Sequence, residues 1–404
     1  MRYRLLSFLC LATVIAYIQR SALGVPSKQI EAELGLGPKD MGLVWLAWYG
    51  AYAAFQLPSG WLAERLGSKS ALILSAAAWS IITGLVGLST GLLGLSILWA
   101  LMGGAQAGMF PCATRAIGTV FTRTEQAFAS GWLACSMALG AALAQWLTGV
   151  LLGPLHLKWQ EILALYSLPG LMWAVAYGLA VPRVDAPIEP KSRSDASPTP
   201  WSRLFTNPQM LLLTLQQLQR AGATALFFTW FPRYLQEAKH VSTLESGSLA
   251  AWPLVAGMAG GLVGGYASDW LLRKTGSQRL SRQGLAFTAM VICAGMSLAT
   301  FWVEDATLAV AMISLAAFCG YVGGVNAYAV AMFMGGKRIA PVFATMNMGG
   351  NIGAGLFPFA VGLLVEKTGN WNLALLLFSA MYAGSGLCWL FLNPKGPLFD
   401  EETS

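Results

Sequence analysis

The sequence predicts an all-α membrane protein, with twelve transmembrane helices in two pseudo-symmetric six-helix bundles. Three observations carry this expectation. Hydrophobic residues make up 56% of the 404 positions and charged residues only 11%, against roughly 25% charged in a soluble domain, too few to cover a water-facing surface. Apolar runs recur at about 4–25, 41–63, 70–90, 92–119, 127–152, 160–181, 208–232, 246–270, 283–303, 306–334, 340–365 and 371–393. Each is long enough to cross the hydrocarbon core as a helix, the form that satisfies its own backbone. Between the sixth and seventh runs lies Pro182 to Arg203, rich in Pro, Ser and mixed charge, which reads as a polar linker. The expected organisation is a first half at 1–181, a linker at 182–207, a second half at 208–394 and a tail at 395–404.

The first run starts almost at Met1, behind Arg2 and Arg4, and is too long for a signal-peptide core, so it reads as the first span. Most Lys and Arg fall on the N-terminal side of the membrane. Only Lys28, Lys39, Lys158, Arg233, Lys239 and Lys367 fall on the other, while Arg20 and Arg220 lie within spans. The positive-inside rule then puts both termini in the cytoplasm, at a bacterial inner membrane or plasma membrane. Topology accounts for the net charge of +7, and no nucleic-acid role is needed. The six cysteines sit in apolar runs without metal-ligand spacing, and the only histidines are His156 and His240. No metal, cofactor or enzymatic constellation is expected. The partners expected are a small solute and the lipid bilayer, with the chain acting as a monomer.

An ionisable group inside a span is costly unless it faces a cavity or a partner. Arg220 lies near the middle of span seven and Arg20 toward the outer part of span one, and no Asp or Glu lies near the middle of any span. Two guanidinium groups without native carboxylates point to an anionic cargo, since arginine grips carboxylate or phosphate through paired, charge-assisted hydrogen bonds. Polar neighbours extend this candidate substrate site: Tyr17 and Gln19 beside Arg20, Tyr49 and Tyr52 on one face of span two, and Gln106 in span four. Gln216 in span seven, Asn326 and Tyr328 in span ten, and Asn347 and Asn351 in span eleven complete it. The alternative for each polar residue is an ordinary interhelical hydrogen bond.

The halves carry related loops. Gly60-Trp-Leu-Ala-Glu64-Arg65-Leu-Gly67-Ser-Lys69 follows span two, and Gly265-Tyr-Ala-Ser-Asp269-Trp-Leu-Leu-Arg273-Lys274 follows span eight. The first resembles the G-x-L-x-D/E-R-x-G-x-K/R signature of the major facilitator superfamily. The resemblance covers essentially the whole chain and implies transport by alternating access. Gly60, Glu64, Arg65, Gly67, Lys69, Asp269 and Arg273 would then form a cytoplasmic latch. Ala16-Tyr17-Ile18-Gln19-Arg20 and Tyr52-Ala-Ala-Phe55-Gln56-Leu57-Pro58 resemble the anion:cation symporter family, whose members carry sugar acids, glutamate or sialic acid. Met346-Asn347 to Pro358 is also similar to that family. Organophosphate:phosphate antiporters share an arginine on the first and seventh helices and remain the alternative, along with an organic-anion symporter that has an atypical coupling site. This chain departs from the symporter pattern at Gln19 and Gln106, where relatives place carboxylates. Glutamine cannot titrate, so exchange or facilitated diffusion is expected rather than proton symport.

Overall fold

The computed structural model describes residues 2–182, 201–336, 339–393 and 396–399. Most of the expected linker and much of the tail lie outside the described residues, as does the side chain of Glu64. The elements are α1 (Arg2–Arg20), α2 (Ser27–Leu34), α3 (Pro38–Leu66), α4 (Ser68–Val86), α5 (Leu92–Gln106), α6 (Met109–Val120), α7 (Arg123–Leu152) and α8 (Trp159–Ala180). After the linker come α9 (Trp201–Thr206), α10 (Pro208–Ala225), α11 (Phe231–Ala238), α12 (Thr243–Thr275), α13 (Leu285–Ala299), α14 (Ala306–Gly335), α15 (Ile339–Thr368) and α16 (Asn372–Phe391). Among the described residues, nine helical segments are long and apolar enough to cross a membrane. The spans formed by α1, α3 and α10, which are more polar, bring the set to the twelve expected.

Local chemistry sets the helix starts. Thr122 and Glu125 form a capping box at α7, with Thr122 donating to Glu125 Oε2 through its hydroxyl (2.9 Å) and its backbone N–H (3.3 Å). Asn207 caps α10, its side chain accepting from the N–H groups of Gln209 and Met210, with Pro208 at the first helical position. Asp305 caps α14 by accepting from Leu308 N–H at 2.7 Å. In α8, Leu168, Met172, Val175 and Leu179 are exposed while Tyr166, Trp173 and Tyr177 are buried. Apolar side chains face outward at helical spacing, as lipid contact requires and water does not tolerate.

Three expected spans are interrupted. Span one stops at Arg20, and the chain turns before Pro26 to enter the short helix α2; proline there offers no N–H to continue a helix. Span four divides into α5 and α6, where Pro111 cannot donate to the Ala107 carbonyl. Span seven passes from α10 through a 3-10 turn at Leu226–Phe228 into α11, which has Pro232 in its first turn.

The chain forms two compact units. The first holds, of the described residues, 2–182, 227–255 and 358–371. In it α1 packs on α7 and α8, α3 on α5, and α4 on α5 and α8. The second holds, of the described residues, 201–226, 256–336, 339–357, 372–393 and 396–399. In it α13 packs on α14 and α16, and α10 on α16.

Candidate functional site

The first unit surrounds Arg20 with aromatic rings. Arg20 ends α1, and Tyr17, one turn earlier, lies on the same face. On α3, Trp45, Trp48, Tyr49 and Tyr52 recur at i, i+3, i+4 and i+7, so one stripe of that helix is wholly aromatic. The guanidinium carbon lies 4.1 Å from the ring centre of Trp48, 4.9 Å from Tyr49, 5.2 Å from Tyr17, 5.7 Å from Tyr52 and 6.0 Å from Phe228. The electron-rich ring faces attract the cation, each by about 0.5–2 kcal/mol depending on burial. Trp48 and Tyr52 stack on each other, with 5.0 Å between centres. One Arg20 nitrogen donates to the Tyr17 hydroxyl at 3.3 Å. Among the described residues, no ion pair includes Arg20. A small pocket with room for about one water lies beside it, lined by Trp45, Trp48, Tyr49, Trp99, Phe228 and Thr229.

The aromatic stripe depends on a close helix approach. A Cβ built on Gly103 of α5 would lie 2.5 Å from the Trp48 carbonyl oxygen and 3.1 Å from its ring. Gly103→Ala is therefore expected to force α3 and α5 apart, costing about 1–3 kcal/mol as overpacking and lowering the Tm of the purified protein. Nothing lies within 4 Å of a Cβ on Gly60, so Gly60→Ala should leave the Tm in place.

Not every expected ligand faces this cavity. Gln19 is fully buried and donates to the Tyr166 carbonyl (2.7 Å) and the Ser80 hydroxyl (3.3 Å). Gln106 donates to the Ala16 carbonyl at 3.0 Å. Both serve helix packing in this arrangement. The sequence reading did not include Trp45, Trp48, Phe228 and Thr229 among the site residues. The spacing along α3 could have pointed to the tryptophans; nothing local marks Phe228.

Outward from the cavity, three tryptophans stand in series. Trp45 meets Trp230 edge-on at 4.4 Å, and Trp230 lies 5.3 Å from Trp371. Trp230 also donates to the Pro358 carbonyl at 2.8 Å. Arg233 sits over Trp371 at 5.4 Å and pairs with Glu31 of α2 at 3.0 Å. The two charged side chains are only 9% and 8% exposed. Glu237 lies 3.2 Å from Arg233 and 2.9 Å from Lys28. Burial pushes the Glu31 carboxyl above the usual range, with the Arg233 charge working against the rise. The segment 27–34, between the first two apolar runs, folds into α2 and buries the Glu31 carboxylate.

In the second unit, Arg220 is 8% exposed and donates through Nε and Nη2 to Gln217 Oε1 (3.2 and 3.1 Å). Gln217, one turn away, takes the place expected for Gln216, which is fully buried and reaches Ser385 of α16 instead. No ion pair among the described residues includes Arg220. Asn326 is buried and accepts from Ser268 at 2.5 Å, an interhelical bond between α14 and α12. Tyr328 stacks on Phe343, and Asn351 donates to the Asn347 carbonyl within α15.

The latch residues separate in the same way. Gly67 joins α3 to α4 at φ +79°, a conformation glycine adopts freely. Lys69 donates to the Gly178 carbonyl at 2.7 Å, and Arg65 lies over Trp61 at 4.0 Å. Asp269 pairs with Arg282 at 2.7 Å, while Arg273 is exposed. The open space around Gly60 gives it no close-approach role.

A family model described as the Major Facilitator Superfamily matches residues 9–333. A probable sulfoacetate transporter of Cupriavidus necator is 29% identical, over 97% of this chain and 94% of its own. A probable galactarate/D-glucarate transporter of Bacillus subtilis is 30% identical, over 98% and 92%. Among solved structures, a bacterial homologue of the human lysosomal transporter Spinster, in an inward-facing and unoccupied conformation, superposes with a TM-score of 0.76. It is 19% identical and covers 97% of this chain and 94% of its own.

Proposed function

Because the chain belongs to the major facilitator superfamily, we propose that it carries a small organic anion across the membrane by alternating access, with Arg20 gripping the charged group. The observation that carries the reading is a guanidinium held by five rings and, among the described residues, paired with no carboxylate. Ring faces orient a cation without neutralising it, so its N–H edge keeps its affinity for an oxyanion. Arg220, bonded to a neutral glutamine, is a second cation in the same electrostatic condition. The relatives named for sulfoacetate and galactarate/D-glucarate transport support an acid cargo over a phosphate ester. The chain acts as a monomer of two six-helix halves, residues 1–181 and 208–394, with both termini cytoplasmic in a bacterial inner membrane or plasma membrane.

Coupling follows from the walls of the cavity. The residues lining it include no carboxylate, and Gln19 and Gln106 are committed to helix packing. The mode is therefore exchange or facilitated diffusion. Proteoliposomes preloaded with an organic acid should take up the labelled acid by counterflow. An inward proton gradient alone should give no accumulation. Uphill uptake driven by protons would overturn the coupling assignment, and the absence of counterflow for any organic acid would overturn the transport assignment.

A further inference from the structure

We propose that the second unit holds a site for a phosphate group, with an anionic membrane phospholipid as the source its surroundings favour. The site shares no residue with that of Arg20 and does not depend on what the chain transports. A cavity of about 90 Å3 opens between the end of α12, a π-helical turn at Arg279–Gly284 and α14. That is room for several waters, and so for a small oxyanion. Gln278, Arg282 and Gln283 form its polar lining, and Leu272, Val330 and Phe333 supply apolar wall.

Gln283 is the observation that points to a ligand. It is only 8% exposed, it lines the cavity, and its amide has no hydrogen-bond partner among the described residues. A buried amide in that condition is costly unless something in the cavity meets it. Arg282 stands next to it. Its Nη1 donates to the Ser268 hydroxyl at 2.8 Å and its Nη2 to Asp269 at 2.7 Å. These bonds fix the guanidinium and leave its Nε–H without a partner among the described residues. A π turn holds more residues than an α turn, so consecutive side chains diverge less, and Arg282 and Gln283 line one cavity.

Charge and position select the ligand. Residues 269–282 include four basic side chains and one acid. Arg273, Lys274 and Arg279 are exposed, and the Asp269 carboxylate is screened by solvent at 63% exposure. Guanidinium and amide N–H groups hold phosphate oxygens through charge-assisted hydrogen bonds. Basic residues at the end of a span lie at headgroup depth, and basic pockets between spans accept phosphate headgroups there. Phe333 in the cavity wall and Leu280 in the turn are exposed and apolar. Acyl chains can lie on them, which a soluble phosphate ester cannot exploit.

The test is calorimetric titration of the purified full chain in neutral detergent. The probes are short-chain phosphatidylglycerol, phosphatidylcholine with the same chains, and glycerol 3-phosphate. The titrations are repeated on Gln283→Leu, which removes no hydrogen bond among the described residues, and on Arg282→Gln, with melts to show that each is folded. Phosphatidylglycerol should bind most tightly, and each substitution should weaken it at least about tenfold, as losing one hydrogen bond to a charged group does. If Arg282→Gln does not fold, Gln283→Leu alone decides. Glycerol 3-phosphate binding as tightly as the lipid, with the same dependence on Gln283, supports the site and overturns the lipid source. Phosphatidylcholine binding as tightly as phosphatidylglycerol overturns the preference for an anionic lipid. Phosphate binding that Gln283→Leu leaves unchanged, or no binding of any probe, overturns the site.

Discussion

Arg20→Ala is expected to reduce anion affinity by at least about a hundredfold and to abolish counterflow, while the protein still folds and inserts. Removing one partner of a desolvated charge pair costs about 2–5 kcal/mol or more, and each 1.4 kcal/mol is a factor of ten. Among the described residues no carboxylate is left uncompensated when this guanidinium goes, so the lost ring contacts should lower the Tm without preventing folding. Arg20→Lys separates charge from shape. Lysine keeps the cation but loses the planar fork and the stacking against Trp48, which lies 4.1 Å away. It should recover only part of the affinity. Binding by titration and counterflow in proteoliposomes, set beside a thermal melt, check the expectation. An Arg20→Ala protein that binds the cargo as well as the parent would exclude the guanidinium from the site.

The second large effect concerns Arg233. Its side chain and that of Glu31 are almost fully buried and lie 3.0 Å apart. Removing one member of a buried pair strands the other charge, at about 3–5 kcal/mol. Arg233→Ala should therefore lower the Tm strongly. Arg233→Ala combined with Glu31→Gln should recover much of the loss, because the stranded charge goes with its partner. Acidity should help the single variant too. The Glu31 carboxyl titrates above its ordinary value because it is buried, and the Arg233 charge opposes the rise; without that opposition it rises further. The folded state then binds a proton more readily than the unfolded state, so stability falls as pH rises from about 4.3, the ordinary glutamate value, through the raised one. Melts of Arg233→Ala should improve toward acid pH, and those of the double variant should not. Equal melts for Arg233→Ala and the parent would show that the pair contributes nothing.

The parts of the site legible in the sequence were those with contrast against their surroundings. Arg20 and Arg220 stood out because a charge in an apolar run has few explanations, and Tyr17, Tyr49 and Tyr52 because they fall on the same helical faces. Trp48 was marked only by its spacing with Trp45, Tyr49 and Tyr52, and Phe228 gave no contrast, since an aromatic residue in an apolar span looks like any other lipid-facing or core side chain. Phe228 also comes from a distant segment, behind a break at Leu226 that the run of apolar residues conceals. Gln19 and Asn326 show the converse. Polarity marked them, but the direction in which each points depends on helix rotation, and a helix apolar on nearly all sides leaves that undefined. The helix α2 gave no signal for a simpler reason: it has eight residues, too few for periodicity to separate a helix from a loop.

The polarity of α1, α3 and α10 has a consequence for biogenesis. Helices that partition weakly into hydrocarbon do not hold their place on leaving the translocon by lipid contact alone. The stabilising neighbours of α1 are α7 and α8, which leave the ribosome more than a hundred residues later. Until those segments arrive, α1, which carries Arg2, Arg4 and Arg20, should depend on insertion machinery to shelter it.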